Sequence, residues 1–295
     1  MKSSFFKFRR VKDTQVALHP DPKGVISFIG GAFFGKFPTI FYRSLLKDIF
    51  NCGYTIVAFP YRFTFDHWSE AISLAEDRYE IQQALSEKAK KLGYSYEIYE
   101  ENPNSKDSKY IWLGHSLGCK YIGLLELLTD LEKQDFQLHL STCVSQNEAK
   151  SIIQLLSHIS LDKVSLLNQP SILIDPVISD LDDAVPFQSL RKIINRFIRV
   201  EPSRKETYDL IHKSKLFGLT SIIDLSSQLG EETVTRLKKV LANNLSDFKS
   251  IPTGNHLSAL GFKTSNFMLI EAVLNVIEKH NLNNSCEQVA NNKIS

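Results

Sequence analysis

Cysteine is scarce in this sequence of 295 residues, and the few that occur stand alone. The 4 cysteines are Cys52, Cys119, Cys143 and Cys286, with no CxxC pair among them. Structural zinc sites and disulfide scaffolds need close or regular spacing, so we expect neither, and a reducing compartment is favoured. HExxH and HxxxH spacings are also missing, as are a Walker loop and a GxGxxG segment after the first strand. We therefore predict no metal site and no cofactor.

Net charge and long apolar runs are low as well. The chain carries 35 Lys and Arg against 33 Asp and Glu, a formal net charge of +2. Dedicated nucleic-acid binders usually show a strong basic excess, so no nucleic-acid partner is predicted. No apolar run approaches the ~18–20 residues that a membrane span needs, so we expect no integral membrane segment. We expect a cytoplasmic location, or the plastid stroma in a eukaryote.

The first residues are basic and aromatic. The start, MKSSFFKFRR, lacks the apolar region and the small-residue cleavage site of a secretory signal. We interpret residues 1–22 as an N-terminal edge segment. Because Phe5, Phe6 and Phe8 are interleaved with basic side chains, peripheral contact with a membrane surface stays open as an alternative.

Short apolar runs alternate with helical patterns along most of the chain, which is typical of a parallel sheet flanked by helices. The predicted strands are in Val25–Gly35, Tyr54–Pro60, Tyr110–Leu113, Ser171–Ile174, Thr220–Leu225 and Phe248–Ile251. The predicted helices are Pro38–Asn51, His67–Leu92, Cys119–Leu131, Ser151–Ile159, Glu231–Asn243 and Phe267–His280. We predict one α/β domain over 23–281, with a small helical cap inserted at about 176–216 and a disordered tail at 282–295.

The segment Gly114-His115-Ser116-Leu117-Gly118 is a G-x-S-x-G motif between a predicted strand and a predicted helix. In that context the serine occupies a sharp strand-to-helix turn that lifts its hydroxyl to the carboxyl edge of the sheet. The glycines let neighbouring chain pass close by. We therefore predict that Ser116 is a nucleophile; the alternative is a tight turn with a capping serine.

Two backbone N–H groups are predicted to form an oxyanion hole. One belongs to Leu117, at the positive end of the helix that follows Ser116. The other belongs to Ala32 or Phe33, which follow the paired glycines Gly30 and Gly31 at the end of an earlier strand. Paired glycines let a backbone N–H approach a developing negative charge. The alternative is an ordinary β-turn after the strand.

His256 is the predicted general base. It follows the last predicted strand and precedes the last helix, which gives the chain order serine, acid, histidine. The other histidines are weaker candidates. Several lie on predicted helices, and His115, inside the G-x-S-x-G turn, should point away from the nucleophile.

The acid of the triad is less clearly marked in the sequence. Glu231 is ranked first because it follows the strand Thr220–Leu225, although an acidic residue also suits the first turn of a helix. Asp175 is ranked second because it ends the preceding strand, although it also suits a turn before Pro176. The predicted pocket residues complete the site, and they are Gly31, His115, Asp66, His67 and Trp68. Asp66 is alternatively the N-cap of the following helix.

These motifs resemble the α/β-hydrolase superfamily, and within it the family called domain of unknown function 1350, found mainly in cyanobacteria and plastids. The resemblance rests on FIGGAFFG, TFDHW, GHSLGCK, LIDPVISD and GNHLSAL, between about Lys23 and Phe262. It implies an α/β-hydrolase fold, with Ser116 and His256 matching nucleophile and base. Some relatives are described as lipase-like. At the position where the superfamily usually has an aspartate, this chain has Gln228 and Leu229.

The motifs together predict a serine hydrolase of the esterase, lipase or thioesterase kind. It would cleave a small acyl ester or a lipid-like substrate through an acyl-enzyme. The departure at the acid position leaves a second hypothesis, in which the chain is a non-catalytic α/β-hydrolase-like binding or assembly factor.

Overall fold

A computed structural model of the protein describes residues 6–62, 64–106, 108–130, 134–178, 200–214, 217–261 and 266–291. Within these residues, eight strands form one sheet in the order β1-β2-β4-β3-β5-β6-β7-β8. The strands are β1 Arg9–Val11, β2 Thr14–Ala17, β3 Gly24–Ile29, β4 Tyr54–Phe59, β5 Tyr110–His115, β6 Ser171–Ile174, β7 Thr220–Asp224 and β8 Asp247–Ser250. The pairs β1–β2 and β2–β4 are antiparallel, and all other pairs are parallel. The mainly parallel sheet confirms the predicted fold class.

Helices cover both faces of the sheet. They are α1 Pro38–Phe41, α2 Arg43–Asn51, α3 His67–Leu92, α4 Glu97–Glu100, α5 Leu117–Thr129, α6 Gln134–Cys143, α7 Gln146–Leu156, α8 Leu161–Val164, α9 Arg204–Lys213, α10 Glu231–Leu241 and α11 Phe267–Asn291. The apolar side chains of α2 and α11 pack into a core on one face, and those of α3, α5 and α10 pack into a core on the other.

The central strands are buried on both faces, which explains why their sequences are continuously apolar. Every residue of β3, β4 and β5 is buried. Along β3, Ile26 and Phe28 join the core under α2, while Val25 and Ile29 join the core under α3. This alternation is the two-residue period of a strand, and it ties both helix layers to one sheet.

The N-terminal segment forms the antiparallel hairpin β1–β2 at one edge of the sheet. Its aromatic side chains turn towards the protein: the ring of Phe6 lies 4.9 Å from that of Phe8 and 5.2 Å from that of Phe50. Both Phe6 and Phe8 pack against the core that contains α2 and α11. Because Phe6 and Phe8 pack against this core, they do not support the alternative of membrane contact.

The helices differ from the sequence-based expectation in several places. Helix α6 was not predicted, and α7 begins at Gln146 where the predicted helix began at Ser151. The helix predicted over Pro38–Asn51 is interrupted at Tyr42, which separates α1 from α2. The backbone of α11 continues to Asn291, through most of the tail predicted to be disordered, because no glycine or proline interrupts it after Phe267.

The predicted cap at 176–216 lies largely outside the described residues, since 179–199 and 215–216 are not among them. Its described part contains helix α9. None of the helices in the described part of the chain combines the length and hydrophobicity that a membrane crossing requires.

Candidate active site

Ser116 lies on a strained turn between β5 and α5. Its backbone angles are φ 56° and ψ −123°, in a region that residues with a side chain rarely adopt. A Cβ at Gly118 would come within 2.3 Å of the Ile29 carbonyl oxygen, and one at Gly114 would come within 3.1 Å of the Cys119 Cα. Both glycines of the motif are therefore required by close backbone approach, which holds the strained serine at the sheet edge.

His256 begins a 3₁₀ turn, His256–Leu260, that follows β8. The Ser116 hydroxyl lies 2.9 Å from His256 Nε2, a distance suited to donation of its proton. The turn is fixed by Asn255, whose side chain accepts from the Leu257 N–H at 2.9 Å, while the Asn255 N–H donates to Ser258 Oγ at 2.9 Å. These hydrogen bonds hold the turn that places the His256 imidazole beside Ser116.

Asp175 follows β6 and is fully buried. Its Oδ2 accepts from His256 Nδ1–H at 2.6 Å. The same carboxylate accepts from the Ser227 hydroxyl, and its Oδ1 accepts from the Leu225 N–H at 3.4 Å. Three donors satisfy this buried carboxylate, so it can hold the imidazole without an unpaired charge in the interior.

The position of Glu231 corrects the sequence-based ranking of the acid. Glu231 lies exposed in the first turn of α10, where an acidic residue complements the helix dipole. The carboxylate against His256 is that of Asp175, the second-ranked candidate. A Cβ at Gly230 would lie 2.5 Å from Asp175 Oδ1, so this glycine lets the start of α10 pass directly over the carboxylate.

The N–H groups of Ala32 and Leu117 are available for an oxyanion. Neither donates to a protein acceptor among the described residues. The two segments are in close contact, because a Cβ at Gly31 would lie 2.8 Å from the Ser116 Cβ. The turn after Gly31 is closed by hydrogen bonds from Phe34 N–H to Ala32 O and from Gly35 N–H to Gly31 O, both 2.6 Å. This turn resembles one half of an oxyanion hole.

Phe33 occupies the same turn with a positive φ of 60°, and its side chain is 58% exposed. More than half of the surface of Phe33 is therefore open to solvent beside the turn that carries Ala32.

His115 is part of a buried hydrogen-bonded chain beside the site. Its Nδ1 lies 2.9 Å from the Tyr42 hydroxyl and its Nε2 lies 2.9 Å from the His256 carbonyl oxygen. The Tyr42 oxygen also accepts from the Gly31 N–H at 2.7 Å. Burial is the main cause that lowers the pKa of His115 to about 3, so its ring is neutral at ordinary pH.

Sequence reasoning missed Tyr42. The available signal was a single tyrosine on the apolar side of the helix that follows the paired glycines. A Cβ at Gly30 would lie 2.6 Å from the ring of this tyrosine, so Gly30 makes room for Tyr42 while Gly31 makes room for Ser116.

The cluster Asp66-His67-Trp68 does not form hydrogen bonds or ring contacts with Ser116, His256 or Asp175 among the described residues. Trp68 is a buried core residue whose indole N–H donates to Glu148 at 3.2 Å. His67 is buried in α3, with its ring 5.3 Å from that of Tyr121. Trp68 and His67 therefore pack in the core, which corrects the expectation that they line the pocket.

Asp66 caps α3, accepting from the Ser69 N–H at 3.0 Å, as the alternative interpretation held. It also lines an open groove of about 870 Å³ beside the turn Phe34–Lys36, where Lys36, Phe37, Tyr61 and Arg62 form other parts of the wall.

The described residues contain no group of three or more His, Cys, Asp or Glu side chains that could hold a metal ion.

Known structures share the fold. A sugar hydrolase from Lactococcus lactis is similar with a TM-score of 0.56 and 12% identity, covering 94% of this chain and 99% of that chain. Esterase B from Lactobacillus rhamnosis, determined with a tributyrin phosphonate, is similar with a TM-score of 0.54 and 14% identity, covering 93% of this chain and 83% of that chain. At these identities the likeness shows the fold alone, which is that of the α/β-hydrolases.

Comparison with curated proteins finds no match. A family model does match, with the description "Protein of unknown function (DUF1350)", and it spans residues 7–280. The match covers nearly the whole chain, as the sequence motifs led us to expect. The chain therefore belongs to the DUF1350 family.

Proposed function

We propose that this protein is a serine hydrolase that cleaves a carboxylic ester or thioester through an acyl-enzyme. The observation that carries the proposal is the continuous chain of contacts from the Ser116 hydroxyl to His256 at 2.9 Å and from His256 to Asp175 at 2.6 Å. A nucleophile, a base and a group that orients the base are the three parts that acyl transfer by a serine requires.

In the first half of the reaction, His256 Nε2 takes the Ser116 hydroxyl proton as Oγ attacks the acyl carbonyl carbon. The carbonyl oxygen becomes an oxyanion, which the N–H groups of Leu117 and Ala32 stabilise. Asp175 stabilises the imidazolium that forms. His256 then gives the proton to the departing alcohol or thiol, and the C–O or C–S bond to the leaving group breaks.

In the second half, a water molecule loses a proton to His256 and attacks the acyl carbon of the ester on Ser116. The same two N–H groups hold the second oxyanion. Collapse of this intermediate breaks the bond to Ser116 Oγ, which regains its proton from His256, and the free acid leaves. Each oxyanion donor is worth about 10²–10³-fold in rate in comparable sites.

The substrate is proposed to be a small acyl ester or thioester with an apolar portion. Phe33 and Phe37 are 58% and 50% exposed in and just after the turn that carries Ala32, where they can contact such a portion. Phe37 also lines the open groove of about 870 Å³, whose wall includes the cations Lys36 and Arg62.

The non-catalytic alternative was motivated by the absence of an acid in the loop after β7. Asp175 reaches His256 from the preceding strand, so that motivation no longer favours a binding or assembly factor.

The proposal is tested with a fluorophosphonate probe, which forms a covalent bond with an activated serine. We expect the wild type to be labelled and Ser116→Ala not to be labelled. Ser151→Ala is the matched control, since Ser151 is exposed on α7, and it should label like the wild type. A screen of p-nitrophenyl esters and acyl thioesters of increasing chain length then identifies the substrate class. A wild type that is not labelled, or a labelled Ser116→Ala, would contradict the proposal.

A further inference from the structure

We infer that Tyr42 and His115 are positioning residues, which hold the oxyanion turn and the base loop in register around Ser116. This inference rests on the proposed function, because it concerns how the same site is assembled. Neither side chain touches the reacting atoms. His115 acts through the backbone carbonyl of His256, and Tyr42 acts through the Gly31 N–H, one residue before Ala32.

The two side chains form one buried relay between the two loops. The Gly31 N–H donates to the Tyr42 oxygen at 2.7 Å, and the Tyr42 O–H donates to His115 Nδ1 at 2.9 Å. On the far side of the ring, His115 Nε2–H donates to the His256 carbonyl oxygen at 2.9 Å. Because a carbonyl can only accept, His115 must carry its proton on Nε2, and this fixes the direction of the remaining hydrogen bonds.

At the oxyanion end, Tyr42 sets the orientation of the peptide that precedes the donor. The Gly31 N–H is one residue before the Ala32 N–H that is proposed to hold the oxyanion. A hydrogen-bond donor in such a site works only if it is held within a few tenths of an ångström of its place. Tyr42 is fully buried, so it provides a rigid anchor for this short turn.

At the base end, His115 holds the backbone of His256 while Asp175 holds its ring. The centroids of the two imidazole rings are 4.8 Å apart, with an angle of 37° between their planes. The base is therefore fixed at its carbonyl by one residue and at Nδ1 by another.

The relay is built from neutral groups, which suits its place beside the base. During acyl transfer His256 becomes positively charged. A second cation 4.8 Å away would oppose that charge, but the low pKa of His115 keeps its ring uncharged. His115 thus supports the base without competing for its proton.

The first experiment compares Tyr42→Phe with the wild type in fluorophosphonate labelling, with the inactivation rate constant and the reversible affinity KI measured separately. Phosphonylation passes through an oxyanion-like state, so loss of the Tyr42 hydroxyl should lower the rate constant by about 10- to 100-fold. KI should stay within about twofold, because the inhibitor binds before charge develops. The matched control is Tyr110→Phe, which removes a buried hydroxyl that has no hydrogen-bond partner among the described residues. Tyr110 begins β5, whereas His115 ends it, so the control lies away from the site.

Two substitutions of His115 separate the two ends of the relay. An asparagine carbonyl can replace Nδ1 as the acceptor for Tyr42, whereas a glutamine amide can replace Nε2–H as the donor to the His256 carbonyl. We expect His115→Gln to keep the wild-type pH profile of labelling and to lose rate. We expect His115→Asn to shift that profile, because the base is released while the oxyanion turn is held.

A readout without catalysis checks the relay itself. In ¹⁵N spectra of the imidazole rings, His115 should be an Nε2–H tautomer that does not titrate between about pH 5 and 9, given a pKa near 3. An Nδ1–H tautomer would overturn the relay. Thermal unfolding of each variant shows whether it is folded.

The outcomes distinguish the inference from the proposed function. If the wild type is labelled and folded Tyr42→Phe is labelled equally fast, the positioning role is overturned and the serine hydrolase proposal stands. If Tyr42→Phe lowers the inactivation rate constant and raises KI by the same factor, the role of Tyr42 is general packing. That result also overturns the inference. If the wild type is not labelled at all, the proposed function fails and the positioning role fails with it.

Discussion

Replacing Asp175 with asparagine should abolish most activity while leaving the shape of the site intact. The carboxylate and the amide have nearly the same volume, so the buried position stays filled. What changes is the hydrogen bonding. The Leu225 N–H can only donate, and it donates to Oδ1 at 3.4 Å, so the asparagine carbonyl oxygen should take that place. The amide NH₂ then occupies the Oδ2 position, 2.6 Å from His256 Nδ1.

That arrangement forces the wrong tautomer on the base. The amide donates to His256 Nδ1, so the ring carries its proton on Nε2 and cannot accept one from Ser116. An equivalent change in a Ser-His-Asp triad lowers kcat by about 10⁴-fold, so we expect a loss of about 10³–10⁴-fold, or about 4–5.5 kcal/mol in the activation barrier. KM should change little, because Asp175 is buried behind His256 and does not face the substrate.

The assay is steady-state hydrolysis of the best ester from the substrate screen, with unfolding midpoints measured in parallel. Glu231→Gln is the matched control, since it makes the same chemical change at the exposed first-ranked candidate and should stay within about twofold of the wild type. The reasoning is refuted if folded Asp175→Asn keeps activity within about threefold of the wild type, or if Glu231→Gln shows the large loss.

Three further predictions concern stability and access. Gly118→Ala should lower the free energy of unfolding in urea by about 2 kcal/mol or more, because its Cβ would lie 2.3 Å from the Ile29 carbonyl oxygen. The control is Gly123→Ala, whose Cβ has nothing within 4 Å and which should stabilise α5 by about 0.5–1 kcal/mol. Gly31→Ala should fold but lose labelling by the probe, because its Cβ would lie 2.8 Å from that of the nucleophile; labelling at the wild-type rate would contradict the crowding. Burial raises the pKa of Glu126 to about 8 from 4.5, so the folded protein keeps a proton that the unfolded chain releases, and stability should fall as pH rises from about 4.5 to 8. Urea unfolding at pH 5 and pH 8 should show a loss on the order of 2–4 kcal/mol for the wild type and little for Glu126→Gln, and equal pH dependence in both would contradict this.

The centre of the sheet could be predicted from the sequence because the central strands are buried on both faces. Runs such as Tyr54–Phe59 are continuously apolar and end at a proline or glycine, so their type and approximate bounds were evident. The edge was harder to predict. The hairpin β1–β2 is short, and Arg9 and Arg10 are exposed, so the pattern predicted an edge segment without locating its two strands. The extension of α11 to Asn291 was missed because its last residues are mostly polar and carry no amphipathic signal.

In the candidate site, local motifs located Ser116 and His256, but not the carboxylate. The strained elbow and the position after the last strand are local features that a sequence displays. The choice between Asp175 and Glu231 depends on how the loop after β7 folds back. Ser227 and Gly230 turn that loop over the end of β6, which brings Asp175 under His256 and leaves Glu231 outside. Tyr42 was missed because a tyrosine on the apolar side of a helix is indistinguishable by sequence from a packing residue, and its hydroxyl contacts depend on the folded positions of Gly31 and His115.

The three residues of the proposed triad come from distant parts of the chain. Ser116 and His256 are 140 residues apart, and Asp175 and His256 are 81 residues apart. We expect their loops to come together only after β5, β6 and β8 have entered one sheet, because the closure of such long loops is slow and entropically costly. Helices, by contrast, form locally and early. During refolding, recovery of Ser116 labelling by the probe should therefore mark completion of the sheet. It should lag behind recovery of the helical circular dichroism signal.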